Sequence, residues 1–131
     1  MAVPLSVGTG DLGGAAVAIP TTNETLAVTS SQTSTPQEVA LVLIVAAIAV
    51  TTGAATTALQ LRIRRGVSVA GQQVGQTYNH PAPAAGNTTV MMMAVDQQIN
   101  TYFCQYSLTV QQTAATANGT VTAATIFVLT F

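Results

Sequence analysis

The chain has 131 residues, of which 5% are charged: three arginines, no lysine and four carboxylates, for a net charge of −1. An ordinary soluble domain carries about 25% charged residues, so this surface cannot rely on interspersed charge, and three cations cannot supply the multi-phosphate footprint that nucleic-acid binding requires. A single cysteine among 49% hydrophobic residues excludes a disulfide framework, a CxxC pair and a cysteine-based zinc cluster. Such a composition suits a protein that lives in an assembly or in a membrane.

Residues 1–23 combine Pro4 and Pro20 with Gly8, Gly10, Gly13 and Gly14. Neither helical nor strand periodicity persists there, which predicts an extended N-terminal arm. Its scattered apolar residues, among them Val3, Leu5, Val7 and Leu12, favour an arm that docks on something over a free linker. The globular part is then expected over residues 24–131.

From residue 25 onward, short β-type runs alternate with Gly, Pro, Asn and Ser/Thr clusters. "TLAVTS" predicts a first strand and "VALVLIVAAIAVTT", residues 39–52, a strand apolar on both faces. In "ALQLRIR", Leu59, Leu61 and Ile63 face one way, with Gln60, Arg62 and Arg64 facing the other. "RGVSVAGQQVGQ" reads as a turn with a short strand, and "YNHPAPAAGN" as a loop that exposes His80. "TTVMMMAVD" then predicts a strand with Met91 and Met93 on one face and Met92 on the other.

"YFCQYSLTV" alternates most clearly, with Cys104, Tyr106, Leu108 and Val110 on its apolar face. Asn118-Gly119 supplies turn residues for a hairpin. The closing run "TVTAATIFVLTF" is apolar on both sides, Phe127, Leu129 and Phe131 opposing Ile126 and Val128. About seven or eight short strands without a helix predict an all-β fold, an antiparallel β-sandwich or jelly roll. A terminal strand apolar on both faces needs cover on both, from the core and from a second copy of the chain.

The rival reading is a membrane helix over residues 39–61, flanked by Glu38 and by "RIRR". Its strictly apolar part is shorter than the roughly 20 residues a span needs, and its extension is rich in Thr and Gly. The β reading is preferred, with no membrane partner.

No catalytic constellation is visible. Asp11, Glu24, Glu38 and Asp96 are dispersed, His80 is the only histidine, and no P-loop, GxSxG or HExxH occurs. The expectation is a non-enzyme with no cofactor, no metal and no nucleic-acid partner. Arg62, Arg64 and Arg65 are candidates for ion pairs to a neighbouring subunit, because arginine binds carboxylates bidentately. Ile126, Val128 and Phe131 are candidates for an apolar subunit contact.

The segment order "TPQEVALVLIVAAIAVTTGAATTALQLRIRRGVSVAGQQVG" followed by "YFCQYSLTVQQTAATANGTVTAATIFVLTF" resembles small β-sandwich proteins of tailed-bacteriophage virions, with a jelly roll like that of tumour necrosis factor. The resemblance implies a homo-oligomer, usually a trimer, that acts as a capsid decoration or cement protein. Its partners would be other copies and the major capsid protein, at the capsid surface of the virion. A tail or fibre component with a receptor-binding role is the alternative it implies.

Overall fold

The short apolar and alternating runs between turn residues fold as strands. A computed structural model describes residues 6–12, 16–19, 23–35, 39, 41–52, 58–80, 86–97, 103–112 and 119–131. Among them run β1 (Ser6–Asp11), β2 (Val17–Ile19), β3 (Thr25–Thr29), β4 (Thr33–Ser34), β5 (Val42–Thr52), β6 (Leu59–Arg65), β7 (Gln73–His80), β8 (Gly86–Asp96), β9 (Phe103–Cys104), β10 (Tyr106–Gln112) and β11 (Gly119–Thr130).

One sheet has the order β1-β11-β5-β8, with β2 beside β1 on the same edge of β11. The other has the order β3-β10-β6-β7, and β4 pairs with β9 in a small third sheet. Among the described residues all the strand pairings are antiparallel. The chain crosses repeatedly between the two layers, as from β5 to β6, β7 to β8 and β10 to β11, which is the jelly-roll form of the expected sandwich.

The core lies between the sheets. Val42, Ile44, Ala46, Ile48 and Val50 of β5 meet Leu59, Leu61 and Ile63 of β6 and Tyr106, Leu108 and Val110 of β10 in one buried cluster. β8 adds Val90, Met92 and Ala94, and β11 adds Val121, Ala124, Ile126 and Val128. Cys104 is buried there too, and burial pushes its thiol pKa up.

The preferred strand reading of the apolar run holds, and two other expectations are corrected. Residues 42–52 are a strand and no described helix is long and apolar enough to cross a membrane, so the helical reading of 39–61 fails. β-branched residues at alternate positions find cover between two layers here, which a lone helix would not provide.

Within the arm expected over 1–23, the described strands belong to the sandwich. β1 pairs with β11 from Ser6↔Thr130 to Asp11↔Thr125, and β2 pairs with its other end from Val17 to Ile19. The glycines that read as breakers are sites of close approach. A Cβ on Gly10 would stand 2.2 Å from the Thr29 carbonyl oxygen, and one on Gly8 2.7 Å from Thr33 Cγ2.

Tyr78, Asn79 and His80 belong to β7 rather than to a loop. Cross-strand partners on β6, from Leu59↔His80 to Leu61↔Tyr78, extend the strand further than its polar sequence suggests. The ring atom Nδ1 of His80 is buried and has no hydrogen-bond partner among the described residues. The turn expected around Asn118 lies outside the described residues.

Candidate interaction surface

The outward face of the first sheet is built from alternate residues of four strands. The register aligns Val7, Leu129, Leu43 and Val95 in one row across β1, β11, β5 and β8. The next row is Thr9, Phe127, Val45 and Met93, and the third is Asp11, Thr125, Ala47 and Met91. The face therefore grades from wholly apolar at one end to mixed at the other.

Its largest side chains stand in solvent: Met91 is 66% exposed, Met93 65%, Val7 56%, Val95 53% and Phe127 45%. Those fractions amount to on the order of 500 Å² of apolar surface, the size at which an exposed patch marks an interaction site. A shallow dent of about 240 Å³ among Val45 and Met91 to Met93 and another of about 140 Å³ over Ala47, Ala49 and Ala123 give the face relief.

Alternation decides which residues of β11 can reach a partner. Ile126 and Val128, expected at a subunit contact, are 0% exposed and sit in the core. Their outward neighbours Phe127 and Leu129 occupy the apolar rows instead. Phe131 is half-buried, and its backbone exchanges two hydrogen bonds with Leu41, Phe131 N–H donating at 2.8 Å and Leu41 N–H at 3.2 Å. The two apolar sides of β11 were legible in sequence, but with like residues on both, nothing marked which side was inward. Val7 and Val95 were hidden for another reason: only the sheet order brings their strands into one row.

The arginines, expected to offer ion pairs to a neighbour, are engaged by carboxylates of their own chain. On the outer face of the second sheet, Glu24 accepts from Arg62 Nη1 at 3.4 Å, from Arg64 Nη2 at 2.6 Å and from Arg64 Nε. Arg62 also donates to Gln111 and Gln60, each at 3.0 Å, and Arg64 to the Gly71 carbonyl at 2.8 Å. Burial opposes ionisation of Glu24, but hydrogen bonds from Arg64 and Thr109 and the charges of Arg64 and Arg62 together outweigh it and hold the carboxyl below its usual value. The hydrogen bond to Glu24 in turn raises the Arg64 pKa.

Arg65 takes the opposite side of β6, inward, at the end of the sandwich. Its Nε and Nη2 donate to the two oxygens of buried Asp96 at 2.7 and 2.6 Å, and Tyr106 Oη donates to the same carboxylate at 2.8 Å. β6 and β10 belong to one sheet and β8 to the other, so this cluster clasps the two layers. Bidentate geometry and a third donor satisfy a carboxylate that burial alone would penalise.

A groove of about 390 Å³ lies between β7 and β8, lined by Gln76, Thr77, Tyr78 and Met91 to Met93. It brings no carboxylate or histidine together. Among the described residues no group of three or more His, Cys, Asp or Glu side chains is placed to hold a metal.

No protein-family model matches the chain, and no curated protein does. Solved structures do. Eiger TNF from S. frugiperda is 10% identical with a TM-score of 0.54, over 98% of this chain and 94% of that one. The infectious bursal disease virus Gx strain structure gives 12% identity and a TM-score of 0.57, and the insecticidal delta-endotoxin Cry8Ea1 from Bacillus thuringiensis gives 11% and 0.56. The matches cover 96% and 92% of this chain but only 32% and 20% of those two longer chains. At such identities the likeness is one of fold: the chain is similar to jelly-roll domains, among them a TNF-like one.

Proposed function

We propose that the chain is a structural protein of a virion, a homo-oligomer, simplest as a trimer, that decorates and cements the shell of a tailed bacteriophage. Its role is mechanical rather than catalytic. Burying apolar area between copies, and between copies and the major capsid protein, holds capsomers against internal pressure.

The observation that carries this reading is the solvent-facing pair of apolar rows, Val7–Leu129–Leu43–Val95 and Thr9–Phe127–Val45–Met93. A chain with 5% charged residues has little else to keep that face in water, and a specific interface needs about 800 Å² per partner. The five most exposed side chains supply much of that area, and Leu43, Val45 and Leu129 extend it. The jelly-roll fold, also found in a chain of the infectious bursal disease virus structure, supports the reading as a fold that serves in particles.

Sedimentation of the purified protein tests it. The native chain is expected to sediment as an oligomer at micromolar concentration, and Phe127→Lys, which charges the centre of the face without touching the core, as a smaller species. Decorated shells should then carry the native protein and not the variant. A native chain that stays monomeric, or a variant that still binds shells fully, overturns the proposal.

A further inference from the structure

We propose that the outer edge of β8 pairs, antiparallel, with β8 of a second copy. A sheet edge is an unpaired row of backbone donors and acceptors, and folded proteins blunt such edges with bulges, short strands, charges or covering loops. Three of the four edges of this sandwich are blunted. Along β1, the Thr9 carbonyl accepts from Ser31 N–H at 2.9 Å and Thr9 N–H donates to Ser31 Oγ at 3.3 Å. β3 is only five residues long, its register with β10 breaks between Leu108 and Thr109, and Glu24 precedes it. β7 breaks register opposite Leu61 and Ile63 and holds Gly75 at φ 71°.

Among the described residues, β8 has none of these devices. It runs for eleven residues in unbroken register with β5, from Val42↔Asp96 to Thr52↔Gly86. It contains no proline, lysine or arginine. Its one charge, Asp96, turns inward to Arg65 and Tyr106. Among the described residues, β5 is the only strand that pairs with residues 86–95.

The register points to a second copy as the occupant. A two-fold axis through Met91 sets Met91 against Met91, Met93 against Thr89 and Val95 against Asn87, and pairs the strand from Asn87 to Val95. Outward residues then meet outward residues, as a continuous sheet demands. No like charges are opposed, which would weaken the pairing. The Met91 row continues onto its own copy, and the Met93 and Val95 ends of the two apolar rows meet Thr89 and Asn87 of the second copy. This contact goes beyond the face-to-face association proposed above, because it uses the backbone edge of β8 where the other uses the side chains centred on Phe127.

Cysteine cross-linking tests the register. Residues directly opposite have Cβ atoms about 4.5–5.5 Å apart, close to disulfide reach after a small adjustment. Met91→Cys is therefore expected to give a disulfide-linked dimer on mild oxidation. Val95→Cys is not, because its counterpart would lie roughly 26 Å along the strand. Both side chains are more than half exposed, so neither change enters the core, and native Cys104 is buried. Equal cross-linking at the two positions, or none at Met91, overturns the pairing. In a Phe127→Lys background the Met91→Cys dimer should persist although face association is lost; its disappearance there overturns the edge as an independent contact.

Discussion

Glu24 sits where two guanidinium groups converge, and its ionised form is favoured in the folded chain. A carboxyl whose folded pKa lies below its ordinary 4.5 contributes stability that is fully present above that value. The contribution is lost as pH falls through the depressed folded value. Urea unfolding between pH 6 and pH 3 is expected to show this loss, and Glu24→Gln should flatten the acid limb while lowering stability near neutrality. Identical pH profiles would show that the pair contributes nothing. The clustering of Arg62, Arg64 and Arg65 was legible as a strand end, but their partners were not. Glu24 reaches β6 only because β10 lies between β3 and β6, and Asp96 reaches Arg65 only across the two layers. Sequence spacing carries neither fact.

β6 and β10 could be read in advance from polar–apolar alternation, and β5, β8 and β11 from long apolar runs rich in β-branched residues or methionine. β1 could not. It holds Gly8 and Gly10, which a local reading takes as breakers and the fold uses for contact with the β3–β4 region. This reverses the consequence of truncation. Removing an arm would leave the sandwich intact, whereas removing residues 1–11 strips six paired residues from β11 and bares its edge. The truncated chain is expected to lose about 3 kcal/mol, several ladder hydrogen bonds at about 1 kcal/mol each less the ordering they cost. A fall in the urea midpoint measures it, and an unchanged midpoint would return these residues to the status of an arm.

At the scale of the molecule, the scarcity of charge and the placement of what charge there is lead to one expectation. The three arginines are paired within the chain, while the most exposed large side chains on the face of the first sheet are methionine, valine and phenylalanine. Association through that face should therefore be driven by apolar burial. Its thermodynamic mark is a negative heat-capacity change, so affinity weakens on cooling. Screening by salt weakens charge-driven contacts across a Debye length of about 10 Å at 0.1 M, and here it has little to act on. Sedimentation equilibrium should show weaker self-association at 5 °C than at 25 °C and nearly the same association at 50 mM and 500 mM sodium chloride. Dissociation by salt with no response to cooling would mean that ion pairs hold the copies together, and that the apolar rows are not the interface.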